Sequence, residues 1–279
     1  MQKITQKIIA KTIGAYINLL SCVAPSKSYA LAYNLFSQPR KGKFNTKTVP
    51  KTLQKAAHEI LFYKEQQIHV YKWLGNDECI LLVHGWESNA ARWKKTIPFL
   101  TKTGKTIIAI DGPGHGLNTD KEFNVPNYAD FIDVVTKKYN PKIVIGHSLG
   151  GNTLAYFQAN YNHNFEKIVL LGAPSDFEVI LNNYIKMLGL NERIFTFLKE
   201  NTKNRFKLTI EEFSASRFLQ NTTIPGLIVH DVDDKVVQFD EAKKIAVSWK
   251  TAQFIETKGL GHSMHDDDLY SKVVAFIEK

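Results

Sequence analysis

Only two cysteines, Cys22 and Cys79, occur in 279 residues. Two thiols cannot staple a disulfide scaffold, and their spacing fits no structural metal site. Long apolar runs are absent as well. Thr12 to Ala24 is too short for a bilayer-spanning helix and contains Asn18. No internal repeat is present, and a composition 44% hydrophobic and 23% charged opposes disorder and low complexity. A globular chain of soluble type remains. At roughly 150 residues per domain, its length suits two domains or one large α/β domain with an insertion.

Acidic residues are missing too, but only locally. Residues 1–55 hold ten Lys or Arg and no Asp or Glu, the first acid being Glu59. The other 26 basic residues face 27 acidic ones, so the net charge of +9 belongs to the N-terminal fifth. Strong positive charge invites a nucleic-acid reading. The bulk of the chain is balanced and aromatics interleave little with the basic arm, so no nucleic-acid partner is expected.

Residues 1–50 read as a basic helical segment. Lys3, Lys7 and Lys11 recur at i, i+4, i+8, with Ile9, Ile13, Tyr16, Ile17 and Leu20 on the other side. Pro25 ends that helix, and Ser26 or Ser28 is expected to cap a second one ending near Phe36. A basic connector, Gln38 to Phe44, follows. The segment is expected to be retained, packing on the core or contacting an anionic membrane surface through residues 1–45. The location expected is cytoplasmic and membrane-peripheral. Leu19-Leu-Ser-Cys22 also resembles a lipoprotein cleavage box, and processing there would leave Cys22 lipid-anchored.

From Glu59 onward, strands alternate with helices. Ile60–Phe62 and Ile68–Trp73 read as a hairpin, followed by β-rich runs at Ile80–Val83, Thr106–Ile110, Ile143–Ile145, Ile168–Leu171, Gly226–Val229 and Ala252–Ile255. Helices are expected at Ala90–Leu100, Asn127–Tyr139, Gly150–Tyr161, Glu241–Val247 and Leu269–Ile277. This alternation predicts a mostly parallel sheet covered on both faces. More than 50 residues separate Leu171 from Gly226, far beyond a usual connection. Their apolar helical pattern predicts a cap over 176–222, with the core formed by 51–175 and 223–279.

Chemistry concentrates in Ile143-Val-Ile-Gly-His-Ser-Leu-Gly-Gly151. A strand turning sharply into a helix displays Ser148 at the sheet edge, and Gly146 and Gly150 permit the close approach. A serine hydroxyl needs a base and an orienting acid. Asp231, Asp233 and Asp234 follow one strand; His262 and His265 follow the next. The three aspartates compete for the acid role and the two histidines for the base. For an isolated aspartate in a turn, or a histidine before a helix, capping or a solvated surface role is the more common explanation. Asp266-Asp-Asp268 reads as the cap of the last helix, and no metal site with His265 is expected. His84-Gly-Trp86 lies just past a strand end, so the Trp86 amide joins that of Leu149 as an oxyanion donor. Asp111-Gly-Pro-Gly-His-Gly116 lacks the spacing and following helix of a dinucleotide loop, and reads as a structural glycine loop.

His84-Gly-Trp86, Asp111 to Gly116, Gly146-His-Ser-Leu-Gly150, the aspartates at 231–234 and Gly261-His262 together resemble the α/β-hydrolase family, in its order and spacing, over roughly 58–279. The resemblance implies that fold, with a helical cap after the sixth core strand. It implies Ser148 as nucleophile, His262 as base and Asp234 as acid, because the family's motif runs Gly-x-x-Asp-x-Val-Val. Asp231 stands where that glycine is expected, and Gln238 where proline often follows. Asp176 occupies the place some members use for the acid, though Ser175-Asp176 also suits a helix cap. A serine esterase acting without cofactor on a small-molecule ester is the activity implied, with a hydrophobic moiety suggested by the apolar cap. Thioesterase, C–C hydrolase, aminopeptidase and acyltransferase reactions share the apparatus. A ligand-binding homologue without turnover is the non-enzymatic alternative.

Overall fold

A computed structural model describes residues 2–279, with side chains from Thr5 onward; the Lys3 side chain of the expected basic face lies outside the described residues. Among these residues eight strands form one sheet. They are β1 (Ala57–Tyr63), β2 (Gln66–Trp73), β3 (Asn76–Val83), β4 (Lys105–Ile110), β5 (Ile143–His147), β6 (Lys167–Leu171), β7 (Gly226–Asp231) and β8 (Ala252–Thr257). Their spatial order is β1-β2-β4-β3-β5-β6-β7-β8, antiparallel from β1 to β4 and parallel beyond. Each strand expected from the sequence is present. The parallel strands are continuous apolar runs because both their faces are covered.

The helices are α1 (Gln2–Val23), α2 (Pro25–Ser37), α3 (Lys51–Gln54), α4 (Ile97–Leu100), α5 (Val125–Tyr139), α6 (Leu149–Asn160), α7 (Phe177–Leu188), α8 (Glu192–Phe206), α9 (Ala215–Leu219), α10 (Phe239–Ser248) and α11 (Asp267–Glu278). Successive strand residues feed opposite cores. Leu81, Val83, Val144 and Ile228 pack with α5, α6 and α10, whereas Ile80, Leu82, Ile145 and Val229 pack with Trp93 and α11. The single helix expected over Ala90–Leu100 is a 3₁₀ turn, Ala90–Lys95, followed by α4. Pro98 has no amide to continue an α-helical ladder through that point.

The chain divides into two compact units: residues 1–38 with 176–214, and residues 39–175 with 215–279. The expected boundaries change accordingly. The N-terminal helices are not a separate segment; they complete the unit made by the inserted helices. At the other boundary, α9 belongs with the sheet: Ala215 and Leu219 enter its core, and Gln158 Nε2 donates to the Phe218 carbonyl at 2.7 Å.

In the smaller unit, Ile17 and Ala32 pack with Leu181, Tyr184, Leu188 and Ile194. Gly14 lies against the Leu188 backbone so closely that a Cβ would overlap its carbonyl. Asn18, which interrupts the apolar run, holds the α7–α8 turn: Nδ2 donates to Gly189 O at 2.8 Å, and Oδ1 accepts the Asn191 amide at 2.9 Å. Neither Ser26 nor Ser28 caps α2. Ala24 is its N-cap with Pro25 in the first turn, and Ser28 Oγ donates to Ile17 O at 2.8 Å. No helix among the described residues is long and apolar enough to cross a membrane.

Candidate active site

β5 ends at His147, and the backbone turns at Ser148 into α6. Ser148 has φ 53° and ψ −126°, a conformation strained for a residue with a Cβ. The turn is held because the Ser148 amide donates to Leu171 O at 2.9 Å and the Ser148 carbonyl accepts from Gly151 N at 2.9 Å. A Cβ at Gly150 would overlap the Val83 and His84 carbonyls, and one at Gly146 would collide with the Gly151 backbone. The two glycines are what let strand and helix approach this closely.

His262, in a 3₁₀ turn after β8, reaches Ser148 Oγ with Nε2 at 3.0 Å. Its Nδ1 lies 2.7 Å from Asp234 Oδ2. The carboxylate accepts a hydrogen bond from Nδ1–H, which leaves Nε2 to accept from the serine hydroxyl. Asp234 is buried, and its other oxygen accepts the amides of Val236 at 2.8 Å and Val237 at 3.0 Å. Burial pushes this carboxyl up, but the bonds from His262 and the two amides outweigh it and hold the group below its ordinary value.

The other candidates do separate work. Asp231 is buried, but its Oδ2 accepts from Thr257 Oγ1 at 2.8 Å and Leu260 N at 2.9 Å, tying β7 to the segment that carries His262. Asp233 is exposed. Asp176 stands at the N-cap position of α7 without a capping bond from its side chain; Oδ1 accepts from Ser214 Oγ at 2.6 Å within the smaller unit. His265 Nδ1 pairs with Tyr270 Oη at 2.6 Å, and burial together with the charges of Arg92, Lys95 and Lys94 lowers it to about 4. Asp266 caps α11 by accepting Leu269 N at 2.8 Å. Among the described residues no group of three or more His, Cys, Asp or Glu is placed to hold a metal ion.

The amides of Leu149 and Trp86 have no hydrogen-bond acceptor among the described residues. Gly85 lies beside Ser148; a Cβ there would stand 2.8 Å from Ser148 Cβ and 3.2 Å from the Leu149 amide nitrogen. Two histidines fix the intervening backbone. His84 Nδ1 donates to Gly85 O at 2.7 Å while its Nε2 accepts Gly112 N at 2.8 Å. The Gly85 carbonyl and the Trp86 N–H share one trans peptide, so holding the former turns the latter the opposite way. His115 Nε2 accepts the next amide, Glu87 N, at 2.9 Å. Burial pushes His84 well below its ordinary pKa and lowers His115 to about 4, so both stay neutral in these roles. The loop Asp111 to Gly116 closes on the buried Asp111 carboxylate, which accepts from Ala90 N and Tyr71 Oη and is raised by burial to about 6.

Sequence reasoning missed three supports of the histidine. His147 Nε2 donates to the His262 carbonyl at 2.7 Å, Arg92 Nη2 donates to the Ser263 carbonyl at 3.0 Å, and Asp231 anchors Leu260. His147 was visible as the variable residue inside Gly-x-Ser-x-Gly, but its partner lies 115 residues away.

The family profile described as the alpha/beta hydrolase fold matches residues 78–242. A serine hydrolase-like protein of Danio rerio is 31% identical over 125 residues, 41% of this chain and 37% of that protein, so the chain spans little more than a third of that relative. The bifunctional esterase/perhydrolase of Acinetobacter calcoaceticus is 26% identical over 256 residues, 73% of this chain and 90% of its own. The bromoperoxidase from Bacillus anthracis superimposes with a TM-score of 0.64 at 18% identity, over 80% of this chain and 100% of that one, a likeness of fold.

Proposed function

The chain belongs to the α/β-hydrolase family, and from that premise we propose that it is a serine hydrolase cleaving a carboxylic ester with a hydrophobic acyl or alcohol part. The observation that carries the reading is the relay from Ser148 Oγ through His262 to Asp234, with links of 3.0 and 2.7 Å. Two relatives are named as a serine hydrolase-like protein and an esterase/perhydrolase, which points the same way.

Ser148 Oγ attacks the ester carbonyl carbon as its proton passes to His262 Nε2. Asp234 holds the imidazole in the required tautomer and stabilises the imidazolium that forms. The carbonyl oxygen gains negative charge facing the Leu149 and Trp86 amides, and the N-terminus of α6 adds its positive end. His262 then returns the proton to the departing alcohol, leaving an acyl group on Ser148. A water deprotonated by the same imidazole attacks that acyl carbon and frees the acid. The steps use no cofactor.

Ser148→Ala is expected to abolish labelling by a fluorophosphonate probe and to lower p-nitrophenyl ester hydrolysis by about 10⁴-fold or more. A wild-type chain that is neither labelled nor active on any activated ester in a chain-length series sinks the proposal. The reading extends to a cytoplasmic location, with the free thiols Cys22 and Cys79 suiting a reducing compartment. An intact mass showing a start at Cys22 with lipid attached overturns that location.

A further inference from the structure

The buried face of α1 is explained by its packing on α7 and α8; its opposite face is not. Ile8, Thr12, Ala15, Leu19 and Val23 recur at i, i+4, i+7, i+11 and i+15, one stripe along the helix, and all are exposed. Ile9 and Tyr16 widen the stripe on one side. Ile8 is 60% exposed, Leu19 67% and Val23 75%. A helix that is apolar on two opposite faces has one face more than this unit uses. The expected single apolar side is split: Ile13 and Ile17 turn inward, Ile9 and Tyr16 outward.

Two features fix what the free face suits. First, the stripe carries no unanswered polar group. The Thr12 hydroxyl along its centre donates back to the Ile8 carbonyl at 3.0 Å, so entering an apolar medium strands no donor there, and the Tyr16 hydroxyl lies on its border, where an amphipathic ring suits the headgroup level. Second, its flank is cationic. Lys7 is exposed on the edge of the stripe and Lys27 is exposed on α2, while Lys11, one turn after Lys7, keeps its charge at the surface as it donates to the Lys186 carbonyl at 2.7 Å. No acid occurs before Glu59, and the unit as a whole carries ten Lys or Arg against six Asp or Glu. Two copies of α1 packed stripe to stripe would bring their lysines together with no carboxylate on the helix to answer them. An anionic lipid surface supplies the missing charge.

We infer that the outer face of α1 docks on an anionic phospholipid bilayer, the helix lying in the plane of the interface. Ile8, Leu19 and Val23 enter the acyl boundary while the lysines meet the headgroups. The contact is independent of the hydrolase chemistry, since it uses no residue of the Ser148 site.

Co-sedimentation of the full chain with vesicles tests this. Wild type is expected to bind phosphatidylserine-containing vesicles more tightly than phosphatidylcholine alone. Ile8→Asp combined with Leu19→Asp lowers partitioning on both by tenfold or more. Lys7→Gln weakens binding roughly fivefold on the anionic vesicles only, since a lysine near such a surface contributes about 1 kcal/mol. An unchanged thermal midpoint shows that the variants still fold. In a separate measurement, the indole emission of Leu19→Trp shifts to the blue on vesicle addition. Equal partitioning of wild type and the double aspartate variant overturns the inference. So does a wild-type dimer in sedimentation that Leu19→Asp dissociates, which would make the face an interface between copies.

Discussion

Asp231 and Asp234 differ in what their carboxylates accept, and that difference separates structure from chemistry. Asp231 takes its bonds from Asp233 N, Thr257 Oγ1 and Leu260 N, all parts of the scaffold. Asp234 gives one oxygen to His262 and the other to two backbone amides. Asp234→Asn is therefore expected to favour the wrong imidazole tautomer and lower kcat by about 10³–10⁴-fold. Asp231→Asn should lower kcat far less than Asp234→Asn, acting only through the position of the His262 turn, and cost about 1–3 kcal/mol of stability through unsatisfied buried donors. Its pH dependence has a definite sign. Burial raises the Asp231 carboxyl, but the Leu260, Thr257 and Asp233 bonds bring it below its unfolded value of 3.8. Its contribution is thus full above that value and is lost as pH falls through the lower folded one. Denaturant titrations should show the Asp231→Asn deficit at neutral pH and see it shrink in acid. A deficit that grows on acidification contradicts the assignment.

At the scale of elements, the join between β5 and α6 sets the accuracy of the site. Gly150 sits where α6 passes the end of β3, and its missing Cβ leaves room for the Val83 and His84 carbonyls. Gly150→Ala should force those backbones apart at a cost of about 1–3 kcal/mol. Because His84 also orients the Gly85 peptide, the same shift moves the Trp86 amide, so kcat is expected to fall with KM nearly unchanged. A variant with wild-type kcat would show that the close approach is dispensable. Much of this join is legible in the sequence. Apolar β-rich runs mark the strands, Gly-x-Ser-x-Gly marks the elbow, and Ser, Asp and His follow in chain order because each ends a parallel strand. What selects Asp234 over its neighbours is not legible, since the choice rests on backbone amides and on where His262 lands after β8. The supporting bonds of His147 and Arg92 are hidden for the same reason: both donate to backbone carbonyls distant in the chain, not to a particular side chain. Ser28 shows the opposite error, a good capping residue turned inward because Ile17 offers it a buried carbonyl.

At the scale of the whole molecule, the basic N-terminal arm is two things at once. One side of α1 completes the unit made by the inserted helices, and the other carries the apolar stripe with its lysines. Amphipathicity in residues 3–20 is readable, but the partner is not, because six of the eight strands, β1 to β6, lie between α1 and α7 in the chain. Removing residues 1–38 should therefore do more than remove charge. It strips Ile17 and Ala32 from a core shared with Leu181, Tyr184, Leu188 and Ile194, all nearly inaccessible in the folded chain. Exposing each large aliphatic side chain forfeits about 1.5–3 kcal/mol, and several together rival the ~5–15 kcal/mol that holds a typical domain folded. The truncated chain is expected to bind an apolar dye and elute as aggregate in size-exclusion chromatography. The full chain carrying Ile8→Asp and Leu19→Asp, changed only on the outward face, should stay monodisperse. A truncated chain that elutes as a compact monomer with the wild-type thermal midpoint would mean that α7 and α8 hold together without the arm.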